Sequence, residues 1–154
     1  MPNSTENQVI RTLKERVSRG ELNGIDVTFR VTGGAPGEER VDEEVHLSPS
    51  LVSARIIEGS RVMQESSLTV ATPELKNVLL EISEGAGELI PRSEARFIPD
   101  SIVGEISVKI DGQEASFFFL PDEEQAKQHG KGLSEKAARP VETLRRLHTA
   151  ILHQ

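Results

Sequence analysis

The chain has no cysteine, tryptophan or tyrosine, and only five phenylalanines and two methionines in 154 residues. Without cysteine there is no disulfide framework, no thiolate nucleophile and no sulfur-ligated zinc or iron–sulfur centre. With so few aromatic rings and a formal net charge of -7, the chain lacks the stacking groups and the basic excess that nucleic acid binding needs. No apolar run approaches the roughly 18 residues of a spanning helix. The first twenty residues also lack the apolar stretch of a secretory signal. These absences predict an acidic, cytoplasmic protein with no nucleic acid or membrane partner.

Familiar catalytic signatures are missing as well. Gly33-Gly34-Ala35-Pro36-Gly37-Glu38-Glu39-Arg40 has glycines but not the Lys-Ser/Thr of a phosphate-binding loop, and it falls between two strand patterns instead of ahead of a helix. The sequence predicts no catalytic residue, no resident metal and no cofactor.

What is present suits one domain of ordinary size: 36% hydrophobic and 28% charged residues over 154 positions. We read residues 1–154 as a single α+β domain, with an N-terminal helix in 1–20 and the sheet and remaining helices in 21–154. Charge is uneven. Residues 1–20 carry four basic and two acidic side chains, and residues 125–154 carry six and two, so the middle is strongly acidic.

Val9, Ile10, Leu13 and Val17 recur at helical spacing before Gly20. The period then changes to two. Ile25, Val27, Phe29 and Val31 alternate with polar residues, and after the Gly-Pro loop Val41, Val45 and Leu47 do the same. A hairpin with Val31 opposite Val41 pairs Arg30 with Asp42 and Asp26 with His46 on the outer face, and Phe29 with Glu43 on the inner one. Leu51 to Glu58 reads as a third strand. Residues 60–71 are ambiguous, with Leu68 to Ala71 as a short strand candidate. Thr72-Pro73 opens a helix with Thr72 as its cap, and Leu75, Val78, Leu79 and Ile82 form its apolar stripe. A loop follows from Gly85 to Asp100. The strand ending at Ile110 turns back at Asp111-Gly112, the strongest hairpin signal in the chain. Its return strand holds Phe117, Phe118 and Phe119, apolar on both faces, so it is either covered from both sides or meets another subunit. The last helix, Ser134 to Leu152, starts or kinks at Pro140. The sum is α+β: an antiparallel sheet of five or six strands, a three-strand meander plus a hairpin, with helices on one face.

Three groups of side chains invite a chemical reading. Alternation puts Asp42, Glu44 and His46 on one strand face, as a metal set or around a general base, although a solvated face is the ordinary account of such a pattern. Glu43 falls on the apolar face, at a sheet margin, beside a basic partner or as a functional carboxylate. His148 lies on an apolar helical stripe, where a hydrogen-bonded core histidine is the common case. The acidic clusters at 38–44 and 122–124 lack the spacing of a calcium loop, and His129 falls in a basic stretch of solvated character.

The strand ending Val31-Thr32-Gly33-Gly34-Ala35-Pro36-Gly37, the helix with Leu75, Val78 and Leu79, Pro99-Asp100 before a strand pair, and the closing amphipathic helix together resemble emfourins. These are small bacterial proteins similar to protein inhibitors of thermolysin-type metallopeptidases. The resemblance covers residues 25–152, in the order of elements more than in identities. In that family a Ser-Gly-Gly-hydrophobic-Ala-Gly loop follows the first strand; here Thr32 and Pro36 depart from it, and Ala35 holds the hydrophobic place. The resemblance implies inhibition of a peptidase through Gly33, Gly34, Ala35, Pro36 and Gly37.

Two functions are thus expected from the sequence. The first is a non-enzymatic interaction or regulatory domain, in its sharper form a metallopeptidase inhibitor, binding a protein partner or its own copies through Gly33 to Gly37 and Phe117 to Phe119. The second is a small hydrolase or isomerase, with Glu43 or His148 as acid or base in a pocket between sheet and helices.

Overall fold

The computed structural model describes residues 5–33, 41–49, 51–97, 103–121, 123–128, 130 and 132–153. Among these residues seven strands form one antiparallel sheet in the order β4-β3-β2-β1-β6-β7-β5. They are β1 (Ile25–Gly33), β2 (Val41–Leu47), β3 (Val52–Glu58), β4 (Arg61–Leu68), β5 (Ile90–Pro91), β6 (Val103–Ile110) and β7 (Gln113–Phe119). The helices are α1 (Thr5–Ser18), α2 (Thr72–Gly85), α3 (Glu123–Gln128) and α4 (Glu135–Leu152).

The α+β reading holds, and the sheet is larger than the expected five or six strands. The two additions are its two edges. Residues 61–68, not 68–71, make β4, and the stretch expected as a loop contains two 3₁₀ segments and the two-residue β5.

Alternation produces the layers. Ile25, Val27, Phe29, Val45, Leu47, Val52, Ala54, Ile106, Val108, Phe117 and Phe119 are buried on one face together with Leu13 and Val17 of α1, Leu79 and Ile82 of α2, and Val141, Leu144 and Ile151 of α4. Phe29 and Phe119 stack with centroids 6.0 Å apart. Gly104 makes this possible: it lies opposite Phe119, and a methyl group added to it would overlap the Phe119 ring.

Local chemistry sets the ends of these elements. Asp111 and Gly112 both take positive φ, 50° and 85°, as a two-residue hairpin turn requires. Arg16 ties that turn to α1, donating to Asp111 Oδ2 at 2.7 Å and to the carbonyls of Glu21 and Asn23. In α2 the cap is Ala71, one residue before the expected Thr72. Ser134 caps α4 by accepting from the Ala137 amide at 3.2 Å. Pro140 lies within α4 and neither starts nor ends it. A proline at that position cannot donate to the Lys136 carbonyl. Gly85 packs against that carbonyl so closely that a methyl group there would overlap it.

Candidate functional site

Strand pairing arranges the open face of the sheet in rows. One row runs through five neighbouring strands: Glu65 of β4 opposite Arg55 of β3, Arg55 opposite Glu44 of β2, Glu44 opposite Arg30 of β1, and Arg30 opposite Glu105 of β6. The signs alternate at every step. Phe118 and Ile90 complete the row on β7 and β5.

Glu44 is the centre of this row. Its side chain is only 4% exposed, although it stands on the face opposite α1, α2 and α4, because two arginines close over it. Arg30 donates Nε to Glu44 Oε2 at 3.0 Å and a second hydrogen bond from its terminal nitrogen. Arg55 donates Nε and Nη2 to Oε1 at 3.2 and 2.6 Å. Burial pushes the Glu44 carboxyl up, but the hydrogen bonds and charges of the two guanidiniums outweigh it and hold the group below the usual carboxylate range. The Glu44 hydrogen bond in turn raises Arg30. Glu105, two strands away, moves the other way: burial raises it, and the charges of Arg92 and Arg30 offset that only in part.

Alternation predicts the correct face for Arg30 and Glu44 but the wrong register between β1 and β2. Val31 lies opposite Glu43, not Val41; Arg30 opposite Glu44, not Asp42; and Phe29 opposite Val45, not Glu43. The shift is two residues, which leaves every side chain on its own face. His46 lies opposite Thr28 and reaches Asp26 diagonally, Nε2 to Oδ1 at 3.2 Å.

Asp42, Glu44 and His46 therefore share a face without converging. Glu44 is occupied by two arginines and His46 faces Asp26. Among the described residues no group of three histidine, aspartate or glutamate side chains is arranged to hold a metal ion. Glu43 is half-buried, opposite Val31 and Ile56. His148 is buried and its Nε2 donates to the Arg55 carbonyl at 2.9 Å, fastening α4 to β3.

Two grooves flank the segment holding Gly132 and Leu133. One, of about 340 Å³, lies between α3 and α4 and includes Leu120, Ala126, Leu133, Val141 and Arg145. The other, of about 240 Å³, includes Glu88, Glu94, Ile90 and Phe118. Neither is lined by Glu43 or His148.

Of the candidate binding residues, Gly33 ends β1, opposite Val41 at the start of β2. Gly34, Ala35, Pro36 and Gly37 lie outside the described residues, as do Glu38, Glu39, Asp122 and His129. Phe117 and Phe119 are 2% and 1% exposed, buried by the chain's own core; they are not a surface in this fold. Phe118 alone of the three turns to the open face, half-buried between Glu105 and Ile90. The clamp on Glu44 was half legible: Arg30 was paired with an acid, but Arg55 stood unmarked in an apolar-looking strand.

Among the described residues no helix is long and apolar enough to cross a membrane, which does not bear on strands. No protein-family model matches the chain, and no curated protein matches it.

Proposed function

We propose that this chain is a non-enzymatic protein-interaction domain, and in its sharper form a protein inhibitor of thermolysin-type metallopeptidases, with residues 33–37 as its contact segment. One observation carries the reading. The segment 34–40 springs from β1, the central strand of the sheet, and its two ends are held opposite each other as the Gly33 and Val41 pair. Fixing both ends of a contact segment in the middle of a sheet limits where that segment can meet a partner. Val41, 42% exposed at the base of the segment, adds an apolar contact there. The groups with perturbed acidity favour the same reading. Arg30, Glu44 and Glu105 lie in one charged row on the open face, and none of the three lines either groove. The cytoplasm remains the expected compartment.

The test is a titration of thermolysin with the purified chain, read by hydrolysis of a quenched peptide. The expected result is loss of activity with an end point near one inhibitor per enzyme, relieved by Gly34→Arg. Full activity at a large excess of the chain overturns the inhibitor form.

A further inference from the structure

The alternating row on the open face ends on an acid at the edge of the sheet. Glu65 is the last member of the row, 56% exposed, with its carboxylate 3.5 Å from Arg55 Nε, whose shorter bonds go to Glu44. The stretch Arg61–Glu65 is exposed throughout, and Val62 and Met63 are each 50% exposed. Among the described residues no strand pairs with this side of β4. The opposite edge is different: β5 has two residues, one of them Pro91, and runs at once into a 3₁₀ segment. That is a blunted edge.

We infer that the outer edge of β4 is a docking site for an extended basic segment of a protein partner, which sets a lysine or arginine beside Glu65 and an apolar side chain beside Val62. A base at that position adds a sixth charge to the row in the correct sign, and opposite charges facing each other across strands stabilise the pairing. The net charge of -7 also draws a basic partner to the chain.

A second copy of this chain is the poorer occupant, and the bulge explains why. Between Ile56 and Ile57 the register with β4 shifts, so that Ile56 faces Gln64 and Ile57 faces Val62, leaving Met63 as the extra residue. Arg61, opposite Glu58, and Glu65, opposite Arg55, consequently lie on different faces. An antiparallel pairing of two β4 strands centred on Met63 would otherwise match Arg61 with Glu65 twice. With the bulge it cannot. A pairing centred on Glu65 sets acid against acid.

This inference rests on the chain being a protein-binding module but concerns a different surface from residues 33–37. Two fluorescein-labelled heptapeptides test it, each alternating threonine and valine, with arginine or glutamate at the centre. Fluorescence anisotropy on the full chain is expected to show the arginine peptide binding about tenfold more tightly. Glu65→Lys should reverse that order, and Glu65→Gln, the milder change at an exposed site, should bring the ratio close to one. Equal affinities, no binding of either peptide, or an order that Glu65→Lys leaves intact overturns the inference. So does a dimer by light scattering that Val62→Lys dissociates. Inhibition of thermolysin by Glu65→Lys at wild-type strength separates failure here from failure of the inhibitor reading.

Discussion

Phe29 and Arg30 are neighbours on the central strand and belong to opposite sides of the molecule. Phe29 lies between Val45 and Ile106, fully buried, and Arg30 lies between Glu44 and Glu105. The covered face draws its stability from volume removed from water, a contribution indifferent to pH. The open face also buries a group, Glu44, but does so with charge, so its contribution depends on protonation. A single strand thus supplies two kinds of stability whose responses to mutation and acid differ.

The largest effect should come from the covered side. Phe29→Ala is expected to lower the free energy of unfolding by about 3–5 kcal/mol, equally at pH 5 and pH 7, in urea titrations. Next is Gly104→Ala, which forces Phe119 from its place over the strand and should cost about 1–3 kcal/mol. A crystal structure of that variant should show the Phe29 and Phe119 rings no longer stacked.

Glu44→Gln tests the other side. Removing a carboxylate that accepts from two guanidiniums should cost about 1–3 kcal/mol at neutral pH. Because the Glu44 carboxyl is held below its unfolded value, the unfolded chain takes up the proton first as pH falls. The contribution is full above the ordinary carboxylate range and is lost as pH falls through Glu44's own lower value. The difference between wild type and Glu44→Gln should therefore shrink in acid. Glu105→Gln should do the reverse. Its carboxyl is raised by burial, so its contribution is present at low pH and lost as pH rises through the raised value. A small gain in melting temperature at pH 7, absent in acid, is the expected result. Smallest is Asp26→Asn: the pair with His46 is nearly half exposed on both sides and should change stability by no more than about 0.5 kcal/mol.

Much of this division is legible in the chain itself. Period-two alternation assigns Val27, Phe29 and Val31 to one side and Thr28, Arg30 and Thr32 to the other, and Asp111-Gly112 locates a turn without help from packing. Alternation fixes parity alone, however, so it could not distinguish Val31 opposite Val41 from Val31 opposite Glu43; the observed choice brings Arg30 opposite Glu44. The edge strand β4 escaped notice for a related reason. Its bulge interrupts the period, and Arg61 to Glu65 are exposed on both faces, so no apolar series marks it. At the other edge, Ile90–Pro91 is too short for any pattern and forms only because Phe117 and Phe118 are already in place to pair with it.

Of the possible sites, the loop after β1 was visible as composition and length, glycine and proline in a connection longer than a tight hairpin requires. The triple phenylalanine was misleading. Three apolar residues in a row on a strand must split between two faces, and here two of them fill the core while Phe118 lies over the edge of the open side.

The seam between β1 and β6 has a consequence in time. The β1–β4 meander and the β6–β7 hairpin are each made from consecutive segments, whereas β1 and β6 are separated by residues 34–102, nearly half the length of the chain, with α2 between them. Hairpins close in about 1–10 μs; joining distant segments is slower, because the loop must be ordered before its contacts reward it. Until that joining, Val27 and Phe29 on one piece and Ile106 and Val108 on the other belong to bare apolar strand edges. The most dangerous edges this protein ever presents to its neighbours are therefore in its middle, and they exist only while it is being made.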